Sequence, residues 1–88
     1  MNGMRIAFTP AFLRQMKKLT PTLQEEVFEK TELLKDSKNH KSLKVHKLKG
    51  PFIGCYGFSV NYKIRIVFEY ISKDEIVFHS IGDHSVYQ

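Results

Sequence analysis

Apolar and polar residues alternate most clearly in the segment YKIRIVFEY, Tyr62–Tyr70. A period of two, built from β-branched and aromatic residues, predicts a half-buried strand. The apolar side of this strand would consist of Tyr62, Ile64, Ile66, Phe68 and Tyr70. The polar side would carry Lys63, Arg65 and Glu69. The pattern therefore fixes one arginine, Arg65, in the middle of a strand on its polar face.

Two amphipathic helices are predicted before this strand. Thr9-Pro10 is typical of a helix start, with Thr9 as the N-cap and Pro10 at the first helical position, where its missing N–H costs nothing. The apolar stripe of the first helix would be Phe12, Leu13, Met16 and Leu19. Thr20-Pro21 repeats the start signal, and Thr22 begins an alternative capping box, so two starts stay open for the second helix.

The second helix is expected to end near Lys35 or Ser37, and short strands are predicted around it. They are Arg5–Thr9, Phe52–Val60, Tyr62–Tyr70 and Ile76–Ile81, with a weaker one around Leu43–Leu48. Gly54 and Gly57 interrupt the Phe52–Val60 strand, which should be bulged or strongly bent.

The order β-α-α-β-β-β predicts an α+β domain: an antiparallel-rich, twisted sheet with a two-helix hairpin packed on one face. The first strand should return beside the last strand by the helical crossover. The apolar face of Tyr62–Tyr70 should pack on the helices, and the face that carries Arg65 should be open.

The chain length of 88 residues predicts a single domain, residues 1–88. No apolar run approaches the length of a membrane span, and the first residues lack a signal-peptide core. The single cysteine, Cys55, cannot form an internal disulfide and is interpreted as a buried, inert thiol. These features together favour a reducing cytoplasm.

The net charge of +5 is concentrated in a run of lysines. The run comprises Lys35, Lys38, Lys41, Lys44, Lys47 and Lys49. Such a run favours a polyanion through counterion release, although an acidic protein partner would satisfy it equally well. The histidines and Cys55 show no metal-ligand spacing, so neither a metal site nor a cofactor is expected, and His79 is interpreted as structural.

Several segments together resemble the RelE/ParE superfamily of small bacterial and archaeal toxins. They are IAFTPAFLRQMKKL, HKLKG, YKIRIVFEY and the closing IGDHSVY. The GDHSVY ending is most similar to the ribosome-dependent ribonuclease branch that includes RelE and YafQ. The resemblance implies a metal-independent endonuclease that cuts messenger RNA in the ribosomal A site. It also implies 2′-hydroxyl attack, which leaves a 2′,3′-cyclic phosphate, and a cognate antitoxin that neutralises the protein in a hetero-oligomer.

The resemblance assigns roles to named residues. Arg65 would clamp the scissile phosphate, and the imidazole of His84 would act as general acid or base. Tyr87 would stack on a base or donate through its hydroxyl, and His46 would be a second acid/base group. The expected RNA-binding residues are Lys41, Lys44, Lys47, Lys49 and Lys63. A regular strand would place His46 on the opposite face from Lys47 and Lys49.

Two alternatives of other classes stay open at this point. A ParE-type inhibitor of DNA gyrase would have the same fold and charge and would need no acid/base residue, but the His84 tail argues against it. A non-catalytic member of the superfamily would only bind an antitoxin-like partner.

Overall fold

A computed structural model describes residues 4–83 and residue 86. The helices are α1, Pro10–Lys17, and α2, Pro21–Leu34. The strands are β1, Arg5–Phe8; β2, His46–Lys47; β3, Tyr56–Ser59; β4, Arg65–Ser72; and β5, Glu75–Gly82. Short 3₁₀ turns cover Ser37–Asn39 and Gly50–Phe52. Within the described part of the chain, neither helix combines the length and the apolar character needed to cross a bilayer.

Threonine caps set the starts of both helices. The Thr9 hydroxyl accepts a hydrogen bond from the Phe12 amide at 3.0 Å, and the Thr20 hydroxyl accepts one from the Leu23 amide at 3.2 Å. Each cap satisfies an amide that the first helical turn leaves without a partner. The second helix therefore starts after Thr20, and the alternative start at Thr22 is wrong.

The five strands form one sheet in the order β1-β5-β4-β3-β2. β1 runs parallel to β5, and the other neighbouring strands are antiparallel. The α+β class and the return of the first strand beside the last are confirmed. The weakly predicted strand at Leu43–Leu48 is present only as the two residues of β2.

The strand that contains Arg65 begins later than the alternation predicts. The Asn61 side-chain oxygen accepts hydrogen bonds from the amides of Lys63 (2.8 Å) and Ile64 (2.7 Å). An asparagine that bonds its own backbone in this way favours a turn over a strand ladder. The strand starts at Arg65, and Tyr62, predicted on the packed face, is 90% exposed.

The predicted Phe52–Val60 strand is also shorter in the structure. Its first residue, Phe52, ends the 3₁₀ turn Gly50–Phe52, and the strand starts only at Tyr56. Gly50 and Gly54 in this segment have φ angles of 65° and 93°. These angles lie in the left-handed region that glycine adopts at no steric cost. Pairing with β4 begins only at Tyr56.

The core lies between the sheet and the helix pair. It is built around phenylalanine rings at centroid distances of 5.4 Å for Phe12–Phe78, 5.7 Å for Phe58–Phe68 and 5.8 Å for Phe58–Phe78. Ile66, like Phe68, is fully buried, as the alternation in β4 predicts. Edge-to-face and tilted ring pairs of this kind add to the free energy gained by burying the rings.

A β-bulge in β5 shifts its side-chain alternation. Phe68 pairs with Phe78 and Val67 pairs with Ser80, so His79 is the extra residue. Because of this insertion, both Phe78 and Ile81 point into the core although they are three residues apart. His79 is left on the opposite face of the sheet.

Candidate functional site

The face of the sheet turned away from the core is called the outer face here. Alternation with the core residues and the strand register assign its members. They are His46, Gly57, Ser59, Arg65, Val67, Glu69, Val77, His79, Ser80 and Gly82. The outer face is less open than predicted, since Val67 is 0% exposed. β4 is the central strand, with β3 on one side and β5 on the other.

Arg65 is half-buried at the start of β4. Its Cα lies opposite those of Ser59 in β3 and Gly82 in β5. The Nη1 group donates to the Asn61 carbonyl at 2.7 Å and to the Ile64 carbonyl at 3.4 Å. Glu69, the acidic residue on the same face of β4, bonds His79 instead of Arg65. The Asn61 turn, which makes β4 begin at Arg65 and not at Tyr62, thus also positions the guanidinium at one end of the outer face.

The C-terminal segment leaves the sheet beside Arg65. Gly82 is the cross-strand partner of Arg65, and the Val86 amide donates to the Asp83 carbonyl at 3.1 Å, which closes a turn. A side chain at position 82 would put its Cβ 2.6 Å from Val86 Cγ1, so only glycine fits without a shift. The predicted catalytic residues His84 and Tyr87 lie outside the described residues.

His46 lies on the outer face, exposed, on the edge strand β2. Its Nδ1 atom lies 2.8 Å from the Lys44 carbonyl oxygen. The register His46–Gly57–Val67 places it two strands away from β4. Strand spacing and rise then give a Cα separation of about 12 Å between His46 and Arg65.

The lysines predicted to bind RNA are all exposed, and they do not form one cluster. Lys47 and Lys49 line a shallow pocket of about 500 Å³ at the β2 edge, together with Leu48, Cys55 and Tyr56. Lys44 lines a second pocket with Tyr62. His46 lies outside the residues that line the Lys47 pocket.

A second polar group lies at the other end of the outer face. The ligand atoms of Cys55, Glu69 and His79 all lie within 4.8 Å of one another. Glu69 Oε1 and His79 Nε2 are 2.9 Å apart. Burial, and then the nearby Glu69 carboxylate, raise the pKa of the Cys55 thiol.

The sequence-based interpretation missed this group. It took Cys55 for a buried thiol, but the residue is half-buried. His79 is bonded to Glu69 and has a side chain 38% exposed. Glu69 lies in β4, His79 in β5, and Cys55 directly precedes β3, so the three residues are adjacent only in space and their spacing along the chain carries no ligand pattern. The polar positions Glu69 and His79 inside apolar strands are the signal that points to them.

No protein-family model matches the sequence. No curated protein matches it either.

Solved structures share the fold over nearly the whole chain. The DinJ–YafQ toxin–antitoxin complex of Escherichia coli is 16% identical, covers 94% of this chain and 96% of its own, and has a TM-score of 0.74. The YoeB–YefM complex of Staphylococcus aureus is 20% identical over 92% of this chain and 97% of its own, with a TM-score of 0.73. The RelBE2 toxin–antitoxin complex of Mycobacterium tuberculosis is 15% identical over 93% and 99%, with a TM-score of 0.72. The chain therefore has the fold of RelE-type toxins of toxin–antitoxin systems.

Proposed function

We propose that this chain is the toxin of a toxin–antitoxin pair and that it cuts messenger RNA in the ribosomal A site, in the cytoplasm. The observation that carries the proposal is the pairing of Arg65 with Gly82, which brings the start of the GDHSVY tail beside the only arginine of the outer face described here. The shared fold with YafQ-, YoeB- and RelE-type complexes supports the class of protein.

The reaction needs little from the protein beyond charge stabilisation and proton transfer. The 2′-oxygen attacks the adjacent phosphorus while its proton passes to a base, and the 5′-oxygen leaves with a proton from an acid. The products are a 2′,3′-cyclic phosphate and a 5′-hydroxyl. Arg65 offsets the charge that builds on the phosphorane oxygens. His84 serves as one proton-transfer group, and Tyr87 and His46 assist.

The positions of the lysines fit an RNA strand laid along the β2 edge. Lys47 and Lys49 share one pocket there, and both are exposed. Each hydrated ammonium group can neutralise a phosphate without reading sequence. Lys41, Lys44 and Lys63 add further positive charge, and Lys44 lines a separate pocket with Ser59 and Tyr62 toward the Arg65 end of the sheet.

Expression from a tightly controlled promoter, followed by mapping of RNA 5′ ends, tests this function. The wild-type chain should arrest growth and create new ends inside translated codons. Arg65→Ala and His84→Ala should abolish both effects. Arg65→Lys should also be strongly impaired, because lysine keeps the charge and loses the two-pronged donor geometry. Arg5→Ala is the matched control, since Arg5 lies on the edge strand β1 with a side chain 68% exposed.

Each contrary result points to a different function. Growth arrest with DNA damage and without new RNA ends would indicate a gyrase inhibitor. Soluble wild-type protein that causes no arrest would indicate a non-catalytic binding protein. Full cleavage by Arg65→Ala would show that the phosphate clamp is assigned to the wrong residue.

The same proposal includes an antitoxin, and the surface between β1 and the two helices fits one. A groove of about 320 Å³ lies there, lined largely by apolar side chains. Phe8, Leu13 and Phe28 line it and are 45%, 48% and 67% exposed. An apolar groove of this kind accepts the apolar face of an amphipathic helix.

Co-expression with the product of a neighbouring reading frame tests the antitoxin surface. Leu13→Glu and Phe28→Glu should remain toxic and escape neutralisation, because each puts a charge into the groove. Leu33→Glu is the control, since Leu33 is 38% exposed on α2 and does not line the groove. Neutralisation of all three variants alike would exclude the groove as the binding surface.

A further inference from the structure

Three side chains on neighbouring strands converge at the end of the outer face opposite Arg65. Glu69 belongs to β4 and His79 is the bulged residue of β5. Cys55 directly precedes β3, and continuing the β3–β4 register places it opposite Glu69. Glu69 is four residues from Arg65, or about 13 Å along the strand. The group is therefore separate from Arg65, whereas Cys55 lines the same pocket as Lys47 and Lys49.

We propose that Cys55, Glu69 and His79 form a binding site for a zinc-class divalent transition-metal ion. The three ligand atoms already lie within 4.8 Å of one another. Around a tetrahedral Zn²⁺ ion, N, O and S ligands at normal bond lengths are about 3.3–3.6 Å apart. Rotamer adjustment of about 1 Å is enough to reach this geometry, and two of the side chains are more than a third exposed.

The chemistry of the ligands selects the class of ion. A thiolate and an imidazole suit zinc, cobalt and copper, whereas magnesium and calcium prefer sets made only of oxygen ligands. Three protein ligands leave a fourth tetrahedral position for water or for a ligand. Because the side chains are partly exposed, an ion can reach them directly from solvent.

The 2.9 Å contact between His79 and Glu69 is consistent with a metal site and is not an alternative to one. A carboxylate that bonds an imidazole holds both groups at one place before any ion arrives. One carboxylate oxygen and the thiol of Cys55 still face the same space. The bulge matters here, since it keeps His79 on the outer face while Ile81 returns to the core.

Cobalt titration of the tag-free full chain, reduced with a phosphine, tests the proposal. Wild-type protein should bind one ion per chain with a thiolate-to-cobalt charge-transfer band and the strong visible bands of a tetrahedral site, and Zn²⁺ should displace the cobalt. Cys55→Ser should lose the charge-transfer band. Glu69→Gln and His79→Gln should each bind cobalt at least about 10-fold more weakly. Loss of a residue that only hydrogen-bonds a metal ligand already lowers metal affinity by about 10-fold or more. Zn²⁺ should raise the melting temperature of the wild type more than that of the three ligand variants, because the ion links residues of β4 and β5 to the residue before β3.

His46→Gln is the control, since His46 lies on the same face outside the cluster. It should bind cobalt like the wild type. Absence of the charge-transfer band, or equal affinity in the wild type and in both the Glu69 and His79 variants, would overturn the site. Circular dichroism checks that each variant is folded, and Glu69→Gln carries the test if Cys55→Ser does not fold. These measurements involve no RNA, so their result is independent of the proposed nuclease activity.

Discussion

Arg65 and Gly82 face each other across β4 and β5, and Val86 occupies the space where a side chain at position 82 would lie. The chain therefore leaves the sheet in contact with the strand that carries the arginine. Gly82 is glycine because of this close approach. Among the described glycines, positive φ angles belong to Gly50 and Gly54, so close approach and not backbone conformation explains Gly82.

Gly82→Ala should lower RNA cleavage by about 10- to 100-fold with little loss of stability. The added Cβ would come within 2.6 Å of Val86 Cγ1, and the stiff valine side chain cannot swing aside freely. The turn that begins the tail must then shift, and displacements of about 1 Å at a reacting centre can cost this much. Cleavage assays and thermal melts measure the two effects.

The double variant Gly82→Ala/Val86→Ala controls for this clash. Removal of the valine methyl groups should restore most of the activity. Full activity in Gly82→Ala alone would contradict the view that the turn positions the tail for catalysis.

Lys47→Ala and Lys49→Ala should each weaken binding of single-stranded RNA and flatten its dependence on salt. Each contact between a lysine and a phosphate contributes about 0.7 to the slope of log K against log salt concentration for single strands. Fluorescence anisotropy at several salt concentrations measures that slope. Lys18→Ala is the control, since Lys18 is exposed at the end of α1. An unchanged slope in both edge variants would place the RNA elsewhere.

Local patterns predicted the core of the sheet well. Ile66 and Phe68 lie inward as the alternation requires, because a period of two depends only on extended backbone. The prediction was wrong at Tyr62, where the Asn61 side chain competes for the backbone amides. An asparagine just before a predicted strand indicates that such competition can occur. The sequence does not say whether the turn or the strand wins the backbone amides.

The candidate site was predictable only where one strand defines it. Arg65 lies on the outer face because side-chain alternation within β4 alone decides its direction. The Cys55, Glu69 and His79 group depends on the register of three strands and on a bulge at His79, and no pattern along the chain encodes either. The tail residues His84 and Tyr87 stay predictions from the resemblance alone.

Thr9→Ala should destabilise the protein more than Thr20→Ala, although both threonines cap helices. Loss of the Thr20 cap costs about 1 kcal/mol. The Thr9 hydroxyl also donates to the His79 carbonyl at 2.9 Å, so its removal leaves a second polar group without this partner. A loss of about 2 kcal/mol is expected for Thr9→Ala. Urea unfolding of the two variants measures the difference, and equal losses would show that the His79 bond contributes nothing.

Tyr70 should make the folded state sensitive to alkaline pH. Burial, and secondly the nearby Tyr56, raise the pKa of Tyr70 above its usual value. Its ring packs at 5.1 Å from that of Tyr56 and 5.6 Å from that of Phe68. Because the pKa is higher in the folded state, ionisation favours the unfolded chain. The stabilising effect is complete below about pH 10 and is lost as the pH rises through the folded-state pKa.

Tyr70→Phe should reduce this alkaline loss, since the variant keeps the ring contacts and removes the ionisable hydroxyl. The difference between the urea midpoints of the two proteins should be small at neutral pH and should grow at alkaline pH. Above about pH 10 the stability of the wild type should fall more steeply than that of the variant. The difference between their ultraviolet absorbance titrations isolates Tyr70 from the other tyrosines. Parallel stability curves at all pH values would mean that Tyr70 has the same pKa in the folded and unfolded chain.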